Sequence, residues 1–121
     1  MARVMVVEDS PTDALNLRNI LQKAGHTVIE ASSGSDAIPR IKSERPDCVV
    51  MDVVMPGING FQATRTLSRD PETAAIPIIV CSSKSQETDR VWALRQGARE
   101  YIVKPVKDND LLSKIKTVIG A

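Results

Sequence analysis

The chain has 121 residues, 16 basic and 15 acidic, so its formal net charge at pH 7 is only +1. This length fits one domain, predicted over residues 1–121 without an output domain, and so balanced a charge gives no basic field for nucleic-acid binding. The N-terminus reaches acidic residues too early for a signal peptide, and no apolar run approaches the ~20 residues of a membrane span. We therefore expect a soluble, cytoplasmic protein without membrane insertion.

Five short apolar runs rich in Val and Ile predict buried strands. They cover residues 3–7, 27–31, 48–52, 77–82 and 100–103. Two of them contain Cys48 and Cys81, and this setting favours reduced, buried thiols over a disulfide or a metal site.

Segments with helical spacing separate these runs. Ser10 is predicted to cap the first helix, with Pro11 as its first residue, Asp13 three residues after the cap and Gly25 at its end. The second helix is predicted near residues 35–43, the third near 59–68 and the fourth near 85–96. Pro39 predicts a late start or a kink in the second helix. A cap at Asp108 predicts the start of the fifth.

Alternation of five strands with five helices predicts an α/β fold. The strands are expected to form one parallel sheet covered by helices on both faces, with right-handed crossovers. In such sheets ligands bind at the carboxyl ends of the strands, near the point where the strand order reverses.

Polar side chains follow four of the predicted strands at that edge. Glu8 and Asp9 follow the first strand, Asp52 ends the third, Ser82 ends the fourth and Lys104 follows the fifth. Each one alone has an ordinary structural explanation, such as an acid near a helix start, a turn residue or a solvated lysine. Together they favour a site, and three neighbouring carboxylates favour a hard divalent cation such as Mg²⁺.

Four motifs carry a family resemblance: VVEDS at 6–10, MDVVMPGINGF at 51–61, PIIVCSS at 77–83 and GAREYIVKP at 97–105. In this order, with five strand–helix repeats, the chain resembles the receiver domain of bacterial two-component response regulators, in the single-domain chemotaxis form. The resemblance covers essentially the whole chain. It implies a flavodoxin-like (βα)5 fold with strand order 2-1-3-4-5.

The resemblance also implies a role for each acid. Asp52 would accept a phosphoryl group from the phosphohistidine of a histidine kinase or phosphotransfer domain. Asp9 would bind Mg²⁺ directly, together with Asp52 and the backbone carbonyl of Val54. Glu8 stands where many relatives have aspartate, and its longer side chain favours contact with the ion through water.

Switch residues follow from the same resemblance. Lys104 would contact the phosphoryl group, Ser82 would be the switch hydroxyl and Tyr101 the aromatic switch residue. A cis peptide is expected between Lys104 and Pro105. The altered surface would be the face formed by the fourth helix, the fifth strand and the fifth helix, where a downstream protein would bind.

Two positions flank the expected phosphoryl group and tune its lifetime in the family. They are Val54, two residues after Asp52, and Lys84, two residues after Ser82. An apolar Val54 offers the attacking water no hydrogen-bonding partner, which predicts slow to moderate self-dephosphorylation. The chain would then be a self-catalysing phosphoacceptor and not a turnover enzyme.

The segments GFQATRTL and SQETDRVWALRQGAREY resemble single-domain regulators of the chemosensory systems for type IV pilus twitching motility. Trp92 lies in the second segment and either packs under the fourth helix or anchors a partner. Without an output domain, the chain would dock on a partner or drain phosphoryl groups from a shared kinase. A purely phosphorylation-independent interaction module is the further alternative.

Other classes with similar sites fit less well. A haloacid dehalogenase-type phosphatase needs a second aspartate as general acid two residues after the nucleophile, and that position is Val54. A nucleotide-binding module needs a phosphate-cradling loop, and both GxGxxG and GxxxxGK[ST] are absent from the sequence.

Overall fold

A computed structural model of the chain describes residues 2–120, so the two end residues of the predicted 1–121 domain lie outside the description. The strands are β1 (Arg3–Val7), β2 (Thr27–Ala31), β3 (Cys48–Asp52), β4 (Ile78–Ser82) and β5 (Glu100–Val103). The helices are α1 (Pro11–Lys23), α2 (Gly34–Glu44), α3 (Gly60–Arg69), α4 (Glu87–Arg95) and α5 (Asp108–Ile119). All strand pairs are parallel, in the order β2-β1-β3-β4-β5, which confirms the predicted fold class and strand order.

The sheet is buried on both faces because its central strands β1, β3 and β4 are apolar except at one end, where Arg3, Asp52 and Ser82 lie. Successive side chains of a strand point to opposite faces, so each strand contributes to two core layers. Met5, Val49 and Val80 belong to the layer that packs against α2, α3 and α4. Val50 and Ile79 belong to the layer against α1 and α5. The two layers hold the carboxyl ends of β1, β3, β4 and β5 at one edge.

Helix α1 begins as the sequence predicts. The Ser10 hydroxyl accepts a hydrogen bond from the Asp13 backbone N–H at 3.3 Å, and Pro11 is the first helical residue. Because the first backbone N–H groups of a helix have no partner within the helix, this contact fixes where α1 starts. The start lies immediately after the polar end of β1.

Of the late start or kink predicted for α2, the late start is wrong. The helix begins at Gly34, after the cap residue Ser33, whose hydroxyl accepts from the Asp36 N–H at 3.1 Å. Pro39 lies inside the helix and removes only the hydrogen bond to the Ser35 carbonyl, and both residues are exposed. Water can therefore serve that carbonyl, and the first turn is set by the cap upstream of the proline.

The remaining helices differ from the predicted bounds by one or two residues. Asn59 caps α3, and its side chain accepts from the Gln62 N–H at 2.9 Å. Helix α4 starts at Glu87, two residues later than predicted. The predicted cap Asp108 is instead the first residue of α5. Lys107 precedes it as the cap residue and makes no side-chain capping bond.

None of the helices within residues 2–120 is long and apolar enough to cross a bilayer.

Cys48 and Cys81 are free thiols, and both are buried, as the sequence predicts. Burial raises the pKa of each thiol to about 12. Because the thiolate is the reactive form, we expect neither cysteine to react with a thiol reagent at pH 8 in the native protein. Both should react once urea unfolds the chain. Titration with a chromogenic disulfide with and without urea measures this, and fast labelling of a native thiol would contradict it.

Candidate functional site

Three acids meet at the carboxyl edge of β1 and β3. Glu8 and Asp9 follow the last residue of β1, and Asp52 is the last residue of β3. One carboxylate oxygen from each lies within 4.8 Å of those of the other two. Glu8 and Asp52 are only 5% and 6% exposed, whereas Asp9 is exposed. The structure therefore brings together the three carboxylates that the sequence places at this edge.

Lys104 reaches into this group from the loop after β5. Its Nζ donates to Glu8 Oε1 at 2.6 Å and to Asp13 Oδ2 at 2.8 Å, and it lies 3.3 Å from Asp52 Oδ1. Burial by itself would lower the pKa of Lys104, but its hydrogen bonds to Asp13 and Glu8 and the charge of Asp52 outweigh burial and raise the pKa. The ammonium therefore stays charged at neutral pH. The Lys104–Pro105 peptide is cis, as expected from the sequence.

Both oxygens of Glu8 are occupied by protein donors. Oε1 accepts from Lys104, and Oε2 accepts from the Ser10 backbone N–H at 3.1 Å. Burial raises the pKa of Glu8, while the hydrogen bonds from Lys104 and Ser10 lower it by less. Each Glu8 oxygen already accepts one hydrogen bond, so a cation that bound Glu8 directly would compete with these donors for the charge of the carboxylate. This arrangement supports contact through water, whereas the exposed Asp9 is open to direct coordination.

The cluster fits Mg²⁺ by the chemistry of its donors. A hard cation prefers oxygen ligands and retains several waters, and here three carboxylates adjoin an exposed edge. The loop after β3 contributes Val54, whose backbone carbonyl is the further ligand expected from sequence. The preceding carbonyl, that of Val53, accepts from the Gly60 N–H at 2.9 Å and ties this loop to the first residue of α3.

Ser82 and Tyr101 are connected through the backbone of Lys84. Ser82 is fully buried, and its hydroxyl accepts from the Lys84 N–H at 3.1 Å. The Tyr101 hydroxyl donates to the Lys84 carbonyl at 2.7 Å, and Tyr101 is only 8% exposed. Burial raises the pKa of Tyr101. The sequence suggested Lys84 as a flanking side chain, but it did not predict that its backbone links the two residues expected to form the switch.

Asp13 is the residue at the site that sequence reasoning missed. The sequence placed it only in the capping turn of α1, yet its carboxylate binds Lys104. The available signal was positional: α1 starts directly after Glu8 and Asp9, so its first turn lies beside the same strand ends. The capping pattern alone was enough to explain an acid at position 13, so a contact between Asp13 and Lys104 was not expected.

Two apolar side chains are exposed, one in the loop after β3 and one on α4. Val54 is 61% exposed, so its side chain lies open to solvent in the loop after Asp52. Trp92 is 48% exposed, so α4 does not bury its indole. The first observation leaves an apolar side chain open to solvent two residues after Asp52. The second favours the expectation that Trp92 contacts a partner.

Comparison with known proteins gives consistent results. Residues 4–116 match the family model described as "Response regulator receiver domain". The chain is 52% identical to Protein PilH of Pseudomonas aeruginosa, over 99% of each chain, and 35% identical to Chemotaxis protein CheY of Thermotoga maritima, over 96% of each. It spans about half the length of several transcriptional regulatory proteins that it also matches.

A solved structure with the same fold contains a metal ion. It is the receiver domain of a sensor histidine kinase from Pseudomonas aeruginosa, with a magnesium ion coordinated in the active-site cleft. The TM-score is 0.91 at 27% identity, and the match covers 99% of this chain and 98% of that one. The family model and these relatives span nearly the whole sequence, so the chain belongs to the response regulator receiver domain family.

Proposed function

We propose that the chain is a phosphorylation-controlled signalling switch in which Asp52 is the phosphoacceptor. The observation that carries the proposal is the position of Asp52 Oδ1, 3.3 Å from the Lys104 ammonium and grouped with the carboxylates of Glu8 and Asp9. A carboxylate beside a fixed cation and a cation-binding pair has the charge neutralisation that phosphoryl transfer requires.

The donor in this proposal is a phosphohistidine of a histidine kinase or phosphotransfer domain. An Asp52 oxygen forms a bond to phosphorus while the phosphorus–nitrogen bond breaks, and the electron pair of that bond stays on the imidazole, which takes up a proton. Lys104 donates hydrogen bonds to the phosphoryl oxygens as their charge changes. Mg²⁺, when bound, would neutralise negative charge on the same oxygens. The phosphoryl group stays on Asp52 until water hydrolyses the aspartyl phosphate, so in this proposal the chain is a self-catalysing phosphoacceptor and not a turnover enzyme.

The signal would leave the site through the Ser82–Lys84–Tyr101 connection. A phosphoryl group on Asp52 offers the Ser82 hydroxyl a strong new acceptor. Movement of Ser82 toward it would pull on the Lys84 N–H, and the Lys84 carbonyl carries the hydrogen bond from Tyr101. Because the Tyr101 ring is already buried, the proposed change is a shift of the β4–α4 loop around it.

The proposed output surface is the face of α4, β5 and α5. Trp92 on α4 and Val103 on β5 are 48% and 42% exposed, so this face presents apolar side chains to a downstream protein. The full-length similarity to Protein PilH supports a place in a chemosensory system that controls type IV pili, with twitching motility as the output and the cytoplasm as its location.

Incubation with acetyl phosphate and Mg²⁺, followed by intact mass and peptide mapping, tests the proposal. The wild-type chain should gain one phosphoryl group, located on the peptide that contains Asp52. Chelation of Mg²⁺ by EDTA should reduce the gain to background. A wild-type chain that gains no phosphoryl group, or gains it equally in EDTA, would show that the proposed chemistry is wrong.

Val54 should keep self-dephosphorylation slow to moderate. Its exposed, apolar side chain gives the attacking water no hydrogen-bonding partner. We expect Val54→Asn to hydrolyse about fivefold faster, the factor that one hydrogen bond of about 1 kcal/mol provides. Decay of the intact-mass signal after desalting measures the rate, with Leu15→Asn, at a 44% exposed apolar position on α1, as the control. A wild-type lifetime of seconds, with Val54→Asn no faster, would reject this assignment.

A further inference from the structure

Asp13 binds the ammonium of Lys104 although the helix cap does not require its carboxylate. In a reciprocal cap, the third helical residue bonds back to the N–H of the cap residue. Here the Ser10 N–H donates to Glu8 Oε2 instead, at 3.1 Å, so the Asp13 carboxylate is not used in this way. It points to Lys104 and lies 2.8 Å from its Nζ.

The three acids around Lys104 differ in what else they do. An ammonium has three N–H donors, and Glu8, Asp13 and Asp52 surround it. Glu8 and Asp52 also belong to the carboxylate cluster that fits a cation. Asp13 is not a member of that cluster and has a side chain that is 46% exposed. Its contact with Lys104 can therefore persist when the cluster and Asp52 take up other partners.

We propose that Asp13 is a positioning residue that holds the Lys104 ammonium beside Asp52 for phosphoryl transfer. The proposal rests on Asp52 as phosphoacceptor. A lysine side chain has four rotatable bonds and loses conformational freedom when its ammonium is fixed at one point. Asp13 anchors the ammonium from the rigid first turn of α1, so Lys104 reaches the reacting group already oriented.

Asp13 should affect the phosphorylation rate only through its contact with Lys104. We expect Asp13→Asn to lower the initial phosphorylation rate at saturating acetyl phosphate and Mg²⁺ by about fivefold, since an ion pair with a half-exposed partner is worth at most about 1 kcal/mol. Asp13→Glu, which keeps the charge, should recover most of the rate. In a Lys104→Met background, which is itself slower, Asp13→Asn should have no further effect.

Asp110 on α5 provides a matched control. It is also the third residue of its helix, its side chain is 47% exposed, and its Oδ1 lies 2.9 Å from the Lys114 ammonium. Asp110→Asn should leave the phosphorylation rate unchanged. An unchanged rate in Asp13→Asn, or an equal loss with and without Lys104, would overturn the proposal, because a purely structural effect of Asp13 would not depend on Lys104.

A second readout separates this proposal from the proposed function. The held Lys104 ammonium should give a slowly exchanging NMR signal that is lost in Lys104→Met and broadened by faster water exchange in Asp13→Asn. If wild type gains no phosphoryl group, the phosphoacceptor role fails, and the NMR comparison still decides whether Asp13 holds Lys104. A Lys104 signal that is identical in wild type and Asp13→Asn would reject the positioning role.

Discussion

Replacing Asp52 by alanine is expected to abolish phosphoryl uptake from acetyl phosphate. The wild-type chain should gain one phosphoryl group, and Asp52→Ala should gain none above the background measured in EDTA. Asp52 is the acid of the cluster that forms the last residue of a strand, and its Oδ1 lies 3.3 Å from the Lys104 ammonium. Glu8 has both oxygens bound to protein donors, and Asp9 is left as the proposed direct ligand of the cation. Neither can replace Asp52 as the attacking group.

The loss should be chemical and not a consequence of unfolding. Asp52 is 6% exposed and lies among other carboxylates, so its removal also relieves repulsion between like charges. Urea unfolding of Asp52→Ala should therefore show a midpoint at least as high as that of wild type. Asp108→Ala, at an exposed position in the first turn of α5, is the control and should be phosphorylated normally. Equal uptake by Asp52→Ala and wild type would exclude Asp52 as the phosphoacceptor.

The strands and the polar edge could be predicted from sequence because their signals are local. The central strands β1, β3 and β4 are buried almost throughout, the outer strands β2 and β5 in part, and each appears as a short apolar run whose last or next residue lies at the sheet edge. The edge positions of Asp52 and Lys104 follow from this reasoning alone. The resemblance to receiver domains then assigned their chemistry.

Helix starts and side-chain contacts were less predictable. The start of α2 before Pro39 is supported by hydrogen bonds from the Asp36 N–H to the Ser33 hydroxyl and from the Ala37 N–H to the Ser33 carbonyl, which a propensity argument does not capture. The pair Lys104–Asp13 joins residues 91 positions apart, and its existence depends on how α1 sits against the loop after β5. A sequence gives the partners available at an edge, but side-chain packing decides which of them meet.

Gly60→Ala is expected to destabilise the fold by about 3 kcal/mol, near the upper end for overpacking in a closed site. Gly60 is the first residue of α3, and a Cβ there would overlap the carbonyl oxygen of Asp52 and lie 2.8 Å from Val53 Cα. These are backbone atoms, so they cannot rotate away as a flexible side chain can. Either α3 or the carboxyl end of β3 must move.

That movement should also impair the site, because the displaced carbonyl belongs to Asp52, the proposed phosphoacceptor. We expect urea unfolding of Gly60→Ala to give a lower midpoint, and the folded fraction to be phosphorylated more slowly than wild type. Gly57→Ala is the control in the same loop: Gly57 has φ +74° and no atom within 4 Å of an added Cβ, so its cost is backbone strain of about 1 kcal/mol without overlap. If Gly60→Ala costs no more than Gly57→Ala and phosphorylates normally, the close approach of α3 to β3 does not hold Asp52 in place.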